Sequence, residues 1–370
     1  FNYEKNIYGS SSTKMKTAEH IFKLQSELDA VLIMSQKNRL YYTGFDSTAG
    51  VLVFIKNEKA HFFVDARYFE MAQQEMSKED IAVHLFTGGD MLDTIYRLLS
   101  DNGADKIGYE DSELTVSTFK QIKSKFKNLK LIECGDSIND QRKIKTDDEI
   151  ENIIKAQSVT DNAFKAILKY IKPGITEMDI AVELEYQMRK LGGSGLAFDT
   201  IVASGINGSK PHAHPTLKKV ANGEAITMDF GARYDGYCSD MTRTVFLGKP
   251  SPEIKTIYEV VLKAQNHAIK NLACGMSGSE GHALASEIIE ANGYGQYFTH
   301  GLGHSLGLDV HEEPRLSPKC KETLKPNMLM TVEPGIYVPE TGGVRIEDLL
   351  LIKQDRIIDL TTSEKNIIIL

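Results

Sequence analysis

The pattern of hydrophobic and polar positions predicts a first region, up to about residue 131, in which short strands and helices alternate. Apolar runs predict strands at residues 30–34, 50–55, 60–64, 81–85 and 106–109, and amphipathic runs predict helices at 67–76, 91–99 and 117–126. We interpret the aromatic run at residues 41–45 as a packed loop. Strands that alternate with helices are typical of an α/β layer with a mixed sheet. We therefore expect an N-terminal α/β domain over residues 15–140.

A pair of longer helices is predicted where the second part of the chain begins. A polar connection at residues 134–145 leads to Thr146 and Glu149, whose spacing is that of a capping box before a long amphipathic run. That helix is expected to run toward Lys172, and a second helix to extend from Thr176 to about Gly192. We assign residues 146–370 to this second domain.

A similar order of elements recurs about 101 residues further along the chain. The positions that align are Ala163 with Ala264, Gly174 with Gly275, and Gly192 with Gly293. Each half then holds a long helix, a glycine break, a shorter helix and a glycine stop. Such repeats indicate an internal duplication, here two α+β halves packed about a pseudo-twofold axis. Two unrelated helix pairs would give the same faint similarity.

Residues 227–244 have the pattern of two strands joined at Asp235-Gly236, a dipeptide typical of a tight hairpin turn. Pairing across this turn places Asp229 opposite Thr242. Asp240 becomes the diagonal neighbour of Asp229 on the same face, roughly 7–8 Å away. The other face is apolar and is expected to face the core. Two acids on a half-buried face require a metal, a shared proton or an arginine; alternatively, both point to solvent.

Composition and charge limit the classes of partner. Lys and Arg number 43 against 51 Asp and Glu, and the net charge of -8 gives no general attraction to nucleic acid or to anionic membranes. The four cysteines are scattered, which suits a reducing cytoplasm better than a disulfide framework or a zinc knuckle. No apolar run approaches the roughly 20 residues of a membrane span. Met15 has the character of a natural start, so we expect residues 1–14 to lie before the native chain.

Histidines and glutamates cluster in the last third of the chain. A glycine-rich segment of the sequence holds three of its ten histidines, namely His300, His304 and His311. Glycine allows the backbone to approach a ligand closely, and a neutral imidazole is a common metal donor. Further along, Glu333 precedes a proline that favours extended backbone, and Glu347 shares a strand face with Arg345.

These residues form a candidate set of metal ligands. The donors are the carboxylates of Asp229, Asp240, Glu333 and Glu347 and the imidazole of His304. The set is too large and too rich in oxygen for one zinc ion, which usually takes four ligands. It favours two divalent ions, most simply Mn²⁺, with Co²⁺, Fe²⁺ or Zn²⁺ as substitutes. Two-metal sites of this kind activate water and polarise a carbonyl, so the sequence predicts a hydrolase.

The five donors in this order, with Met-Asp-Phe-Gly, Ser-Asp-Met-Thr-Arg-Thr, His-Gly-Leu-Gly-His, Val-Glu-Pro-Gly and Val-Arg-Ile-Glu-Asp around them, resemble the metallopeptidases with the creatinase or pita-bread fold. The α/β domain and the Pro211-His212 segment are similar to those of Xaa-Pro aminopeptidases and Xaa-Pro dipeptidases (prolidases). The resemblance implies an α/β N-terminal domain before a pita-bread catalytic domain. It also implies proline-containing peptides as substrates and a homodimer.

The resemblance also implies roles for individual residues. It makes Asp240 and Glu347 the ligands that bridge two ions, and Glu333 a general acid/base as well as a ligand. His212 stands 17 residues before Asp229 and matches the substrate-side histidine of the family, with His214 as the alternative. His311 matches a histidine near the scissile bond or the proline, and His300 matches a histidine that lines the site. Arg345 matches an arginine that contacts the metal ligands, and we count it with the substrate-binding residues. Arg315 lies where some dipeptidases hold the substrate carboxylate.

Several activities stay open at this point. We favour a Xaa-Pro aminopeptidase over a strict dipeptidase because the chain offers only Arg315 as a carboxylate clamp. Methionine aminopeptidases share the ligands but usually lack the first domain. The same fold also occurs in creatinase-like enzymes without metal and in non-catalytic binding proteins, and the complete ligand set argues against both.

Overall fold

A computed structural model describes residues 17–78 and 81–370, so the expectation about residues 1–14 lies outside the described residues. The chain divides into two compact units, with the division between Arg142 and Lys143. The domain limits at residues 15–140 and 146–370 stay a prediction. Among the helices of the described residues, none is both long enough and apolar enough to cross a membrane.

The first unit is an α/β layer, as predicted. Its helices are α1 (Glu19–Leu24), α2 (Gln36–Thr43), α3 (Phe69–Glu75), α4 (Met91–Asp101), α5 (Val116–Lys125) and α6 (Gly135–Lys143). Its strands are β1 (Ala30–Ile33), β2 (Val51–Ile55), β3 (Ala60–Val64), β4 (Ile81–Leu85), β5 (Lys106–Tyr109) and β6 (Lys130–Glu133). They form one mixed sheet in the order β4-β3-β2-β1-β5-β6, with β1 antiparallel to β2 and parallel to β5.

Two predictions of irregular structure in this unit were wrong. Residues 41–43 belong to the last turn of α2, which begins at the Ser35 cap and ends at Gly44 with φ at 68°. The connection at residues 134–145 contains helix α6, whose buried Arg142 donates to Asn38 Oδ1 at 3.0 Å. Both helices carry many polar residues because their inward side chains make hydrogen bonds, and an apolar stripe is the signal by which a helix is usually found.

The second unit combines helices with several small sheets. Its helices are α7 (Asp147–Ile167), α8 (Glu177–Lys190), α9 (Pro252–Asn271) and α10 (Gly278–Ala291). Its strands are β7 (Gly195–Leu196), β8 (Ile201–Ser204), β9 (Ala225–Phe230), β10 (Ala232–Tyr234), β11 (Tyr237–Cys238), β12 (Met241–Phe246), β13 (Gly303–Ser305), β14 (Glu312–Leu316), β15 (Leu329–Val332), β16 (Gly335–Val338), β17 (Gly342–Arg345), β18 (Asp348–Ile352) and β19 (Ile357–Asp359).

The duplication predicted for this unit is confirmed in its elements. The four aligned glycines all have a left-handed backbone, with φ of 87° and 93° at the helix breaks (Gly174, Gly275) and 99° and 84° at the stops (Gly192, Gly293). Capping boxes start α8 at Thr176 and α10 at Ser277, again with the same spacing. Each helix pair covers its own hydrophobic cluster, which contains Ala163 in the first half and Ala264 in the second.

The hairpin of β9 to β12 has the predicted register. Tyr234 pairs with Tyr237, and Asp229 pairs with Thr242. Asp235 and Gly236 both have positive φ, at 50° and 84°, as a two-residue turn of type I′ requires.

The two halves join beside strand β12. Thr244 Oγ1 donates to the Arg345 carbonyl at 2.9 Å, and Glu347 N–H donates to the Thr242 carbonyl at 3.1 Å. This join brings the acids of the first half next to the part of the second half that carries Glu347, so the candidate ligands meet at the seam.

Candidate metal centre and substrate cavity

Two carboxylates of the site project from the hairpin of the first half. Asp229 lies on β9, and Asp240 immediately precedes β12. The apolar side chains of the opposite face, Met228, Phe230 and Met241 among them, are fully buried in the first cluster. That burial fixes the register, since a slip of one residue would turn the acids into the core.

Three candidate ligands come from the second half. His304 lies on β13, Glu333 directly follows β15, and Glu347 lies between β17 and β18. Thr331 Oγ1 contacts two of them, because it accepts from His304 N–H at 3.0 Å and donates to Glu333 Oε1 at 3.2 Å. One threonine therefore sets the positions of a histidine and an acid that lie far apart in sequence.

His304 presents one ring nitrogen to the acids. Its Nδ1 lies 3.0 Å from the carbonyl oxygen of Ser305, which can only accept a hydrogen bond. The neutral ring therefore carries its proton on Nδ1, and the lone pair of Nε2 faces the site. Nε2 lies 3.3 Å from Glu333 Oε1 and 3.7 Å from Asp240 Oδ2.

Arg345 supports the site from behind. Its Nη2 donates to Asp229 Oδ2 at 2.6 Å, its Nη1 to Tyr337 Oη at 2.7 Å, and its Nε to Thr242 Oγ1 at 3.0 Å. Thr242 in turn donates to Glu347 Oε2 at 2.7 Å. Burial alone would lower the pKa of Arg345, but Tyr337 and Asp229 beside it raise that pKa well above its usual range. The guanidinium is therefore a permanent cation.

The acids are held where an anion is poorly solvated. Burial, followed by the charge of Glu347, raises the pKa of Asp240 well above its ordinary value. Burial, followed by the charge of Glu333, does the same to the pKa of Glu347. The pKa of Asp229 is also raised by burial, against the opposing charge of Arg345. The single positive charge of Arg345 does not balance the buried carboxylates around it, so the site calls for additional positive charge.

The residues fit a divalent metal. Within residues 17–78 and 81–370, Asp229 Oδ1, Asp240 Oδ1 and Glu347 Oε1 are buried side-chain oxygens that lack a hydrogen-bond partner. Such atoms are costly unless something satisfies them. Donor atoms of Asp240, His304 and Glu347 lie within 4.8 Å of one another, close enough to share an ion. Carboxylate oxygens with one imidazole are suitable ligands for Mn²⁺ and similar ions.

A cavity of about 580 Å³ opens above these residues. Its lining includes every candidate site residue: the five proposed ligands and His212, His214, His300, His311, Arg315 and Arg345. Phe198, Ile201 and Val310 add apolar surface to the same cavity. The structure thus brings together all the residues that the sequence analysis selected.

The histidines differ in their freedom within the cavity. His300 is fixed, because its Nε2 lies 2.9 Å from Tyr337 Oη and its Nδ1 lies 2.7 Å from the Gly301 carbonyl. The ring of His311 packs edge-on against His304, with centroids 4.5 Å apart. Burial and then His304 lower the pKa of His311 to about 4, so it is neutral at neutral pH. His212 and His214 are both exposed on their segment.

Arg315 lies opposite His304 on the neighbouring strand β14. Its Nε is 3.5 Å from Glu313 Oε1, and both side chains are substantially exposed. A pair of this kind is weak, since solvent screens it. Two arginines line the cavity: buried partners hold Arg345, whereas Arg315 pairs only with an exposed glutamate.

Tyr337 and Lys145 are residues that the sequence analysis missed. Tyr337 links His300 to Arg345, and burial raises its pKa to about 12. Lys145 is buried, and its Nζ lies 3.1 Å from both Ser305 Oγ and Glu312 Oε2. The one sequence signal for Tyr337 is its position in a predicted strand four residues after Glu333. Lys145 has no such signal, because its sequence neighbourhood is that of an ordinary polar residue.

The fold and this acid and histidine cluster define a metal-dependent hydrolase. The model of the Creatinase/Prolidase N-terminal domain matches residues 20–144, and that of metallopeptidase family M24 matches residues 151–354. The chain belongs to metallopeptidase family M24. The family resemblance, the pita-bread fold and the enzyme class predicted from the sequence are confirmed, and divalent metal ions and peptide substrates follow from the family.

Similar proteins match nearly the whole chain. An uncharacterized peptidase of Bacillus subtilis is 41% identical over 96% of this chain and 100% of its own length. A structure titled Xaa-Pro dipeptidase from Bacillus anthracis has a TM-score of 0.91 at 37% identity, covering 95% of this chain and 98% of that one. An X-Pro aminopeptidase structure from Thermotoga maritima has a TM-score of 0.88 at 37% identity, covering 93% and 98%.

Proposed function

We propose that this protein hydrolyses the peptide bond between an N-terminal residue and a following proline, as a Xaa-Pro aminopeptidase. The observation that carries the proposal is the convergence of three buried carboxylate oxygens, which lack a hydrogen-bond partner among the described residues, with His304 at a cavity lined by further histidines and apolar side chains. Relatives titled Xaa-Pro dipeptidase and X-Pro aminopeptidase support the proline preference.

Two divalent ions, most simply Mn²⁺, would be held by Asp229, Asp240, His304, Glu333 and Glu347. When bound, the ions supply Lewis acidity toward a peptide carbonyl and toward water. The protein's part is to hold the acids against their mutual repulsion. Arg345 and Thr242 do so by fixing one oxygen each of Asp229 and Glu347, which leaves the other oxygen of each carboxylate free for a ligand bond.

The remaining side chains handle the substrate. Glu333 is the group that would take a proton from water and deliver it to the leaving nitrogen. His212 and His311 would donate hydrogen bonds as charge develops on the carbonyl oxygen or near the proline. His300 is held by Tyr337 and lines the wall of the cavity.

Proline explains why such a site is useful. A peptide bond before proline has no N–H, and the ring fixes φ. A peptidase that recognises the amide hydrogen cannot register this bond, whereas a site that acts on the carbonyl and encloses the ring in apolar surface can. Phe198, Ile201 and Val310 supply apolar surface of this kind in the cavity.

A Xaa-Pro dipeptide and a Xaa-Pro-Xaa tripeptide, assayed side by side with added Mn²⁺, test the proposal. We expect both to be cleaved, because Arg315 is the one cation of the cavity wall without buried partners and a second carboxylate clamp is lacking among the lining residues. Cleavage of neither peptide would contradict the proline assignment. A matched Xaa-Ala peptide serves as the control for general aminopeptidase activity.

Arg315 favours a second candidate function, a strict Xaa-Pro dipeptidase. A bidentate arginine is the natural partner of the free carboxylate of a dipeptide. If this is the activity, Arg315→Gln raises KM for the dipeptide, and the wild-type protein leaves the tripeptide intact. If the protein is an aminopeptidase, the same variant leaves tripeptide cleavage within about threefold of wild type, as for a solvent-exposed charge.

A further inference from the structure

The segment that carries His212 connects two ordered parts of the first half. We define it as residues 204–216, from the end of β8 to the stretch that follows His214. It contains a 3-10 helix at Gly205–Ser209, and the side chains of His212 and His214 are exposed on it and line the cavity. A histidine on such a connection is positioned by the contacts that hold the segment; one of them lies inside it, since Arg345 Nη1 donates to the Pro211 carbonyl at 3.4 Å.

Glu177 contacts both ends of this segment. It is the first residue of α8, and its side chain is fully buried. Oε1 accepts from Ser204 N at 2.7 Å and from Ser204 Oγ at 2.8 Å, while Oε2 accepts from Thr216 N at 3.2 Å and from Thr216 Oγ1 at 2.6 Å. Asn207 Nδ2 lies between, at 3.0 Å from Oε1 and 3.2 Å from Oε2.

All of these partners donate hydrogen bonds to the carboxylate. Burial alone would raise the pKa of Glu177, but the bonds from Thr216, Asn207 and Ser204 outweigh burial and lower it. The group is therefore an anion at neutral pH, and hydrogen bonds to an anion are about twice as strong as neutral ones. One buried charge thus ties the start of the segment to its end.

The second half of the unit provides an internal comparison. The residue equivalent to Glu177 is Gly278, which also follows the capping residue of its helix, Ser277. In both halves the helix start makes the same backbone contacts: Glu177 N donates to Lys218 O at 3.1 Å, and Gly278 N donates to Glu322 O at 3.0 Å. A Cβ atom at Gly278 would overlap the carbonyl oxygen of Arg315.

The difference between the halves separates two roles for Glu177. The second half starts its helix with the same capping box and no side chain at this position, so a helix start of this kind does not require the glutamate. In the second half, strand β14 packs directly on the helix start and carries Arg315 into the cavity wall. In the first half, the Glu177 carboxylate occupies that place and holds the segment that carries His212.

We propose that Glu177 is a positioning residue for His212: its carboxylate fixes both ends of residues 204–216 and thereby sets where the His212 imidazole lies in the cavity. The proposal rests on the proposed function for the role of His212, but its structural part can be tested without any substrate. Lys218 adds to the same cluster, since its Nζ donates to Ser204 Oγ at 2.8 Å and to Glu224 Oε2 at 2.6 Å.

Hydrogen–deuterium exchange of the metal-loaded protein tests the structural part. In Glu177→Gln the side chain keeps its size, but its NH₂ group faces N–H and O–H donors at one end of the segment. We expect exchange within residues 204–216 to rise at least about tenfold, because the amides of Ser204 and Thr216 lose an acceptor or its charge. The matched residues of the other half, 305–320, should exchange as in wild type, since Ser279 N donates to Cys320 O there as Met178 N donates to Thr216 O in the first half.

Asp179→Asn is the matched control. Asp179 lies in the same first turn of α8 and belongs to the capping box, but it is exposed and its side-chain hydrogen bonds go to Thr176, with Oδ2 at 2.7 Å from Thr176 Oγ1. Faster exchange of residues 204–216 in this variant as well would show that the start of α8, and not the hydrogen bonds of the Glu177 carboxylate (the Glu177 clamp), controls the segment. That result would overturn the proposal.

A double-mutant cycle tests the link to His212. We expect Glu177→Gln to lower kcat/KM for a Xaa-Pro peptide roughly 10–100-fold at unchanged metal content, as misplacement of a reacting group does. In a His212→Ala background, Glu177→Gln should lower kcat/KM by less than about a further twofold, because the histidine that Glu177 positions is absent. Additive losses would overturn the proposal.

A second variant keeps the proposal testable if Glu177→Gln folds poorly. Thr216→Val keeps the shape of the side chain and removes the Oγ1 hydrogen bond to Oε2, while the bond from Thr216 N–H remains. It should therefore raise exchange in the segment less than Glu177→Gln does and couple to His212 in the same direction. Unchanged exchange and additive kinetics in Thr216→Val would contradict the proposal. If wild type cleaves no Xaa-Pro peptide, the proposed function fails, whereas the exchange result still decides whether Glu177 holds the segment.

Discussion

Each oxygen of the Asp229 carboxylate has a different environment. Oδ2 forms an ion pair with Arg345 at 2.6 Å, while Oδ1 is buried without a hydrogen-bond partner among the described residues. Glu347 shows the same division, since Oε2 accepts from Thr242 and Oε1 lacks such a partner in that part of the chain. A carboxylate used in this way is oriented by the protein through one oxygen and offers the other to a metal.

The first prediction concerns these two acids. Asp229→Ala or Glu347→Ala should abolish peptidase activity and lower bound metal below the two ions per chain expected for wild type. The physical reason is that each removed carboxylate offsets part of the repulsion between two dications. Elemental analysis of the purified, Mn²⁺-loaded variants measures the loss. The control is Asp199→Asn, which changes an acid that lines the cavity but is not one of the five candidate ligands, and it should keep the full metal content. Full activity in either Ala variant would rule out the two-metal site.

The second prediction separates His212 from His214. Both side chains line the cavity, and the structure leaves both exposed. His212→Ala should keep the metal content and lower kcat/KM roughly 10²–10⁴-fold, the usual contribution of a positioned donor or acid/base. His214→Ala is the matched control and should have a much smaller effect. Steady-state kinetics on one Xaa-Pro substrate decides between them, and a reversed order would show that spacing from Asp229 selected the wrong histidine.

Residues with a signature in the sequence were predictable, and residues defined by their contacts were not. The five candidate donors carry flanking motifs, and their types and spacing were sufficient to select residues that the structure gathers at one cavity. Tyr337 and Glu177 act through partners 8 to 39 positions away in sequence, with Arg345 and Thr216 as examples. Nothing in the residues adjacent to them indicates those partners, because tertiary packing creates the contacts.

At the scale of elements, the β9 to β12 hairpin was predicted correctly because its turn determines the pairing. Asp235 and Gly236 both accept positive φ, and a two-residue turn leaves a single register. Helices α2 and α6 were missed because they bury polar side chains, Asn38 and Arg142 among them. Strand β6 was missed for another reason: its residues are partly or fully exposed at the sheet edge, so it lacks a strongly apolar run.

The third prediction concerns pH and the clamp between α8 and residues 204–216. The folded-state pKa of Glu177 lies below the ordinary value of 4.5, so its contribution to stability is present above that value and is lost as pH falls through the folded-state pKa. Glu177→Gln should therefore be less stable than wild type by about 1–3 kcal/mol at pH 7, the cost of an unsatisfied buried group.

Urea unfolding of the two proteins measures this effect at about pH 7 and about pH 3.5, on either side of the ordinary glutamate pKa. The difference in free energy of unfolding should shrink at the lower pH, where wild-type Glu177 begins to take up a proton. Metal release at low pH affects both proteins alike and cancels in the difference. A gap that stays constant or widens toward acid pH would contradict the assignment of an ionised clamp.

At the scale of the whole molecule, the two units could be recognised from sequence because their element patterns differ. The first alternates short strands and helices, and the second repeats a helix pair with glycines of positive φ. The family matches, at residues 20–144 and 151–354, follow the same division into parts. Association between chains leaves no comparable pattern in a single sequence.

The fourth prediction is a homodimer, which the family resemblance implies. Analytical ultracentrifugation of the Mn²⁺-loaded protein should give a mass near twice the chain mass of 41.2 kDa. Activity per chain should fall on dilution below the dissociation constant if the dimer supports the site. A monomer that keeps full activity at low concentration would remove the idea.

The candidate ligands are divided between the duplicated halves: Asp229 and Asp240 belong to the first, and His304, Glu333 and Glu347 to the second. Neither half owns a complete ligand set, so the free energy of ion binding is available only while the halves stay docked. Bound ions would then act as a reversible cross-link that adds to the hydrogen bonds at the seam, and free metal concentration would contribute to how tightly one half of the catalytic unit holds the other. Chelation would loosen this seam before it unfolds either helix pair, so resistance to proteolysis between β12 and α9, where Lys249 is exposed, would report the metal supply.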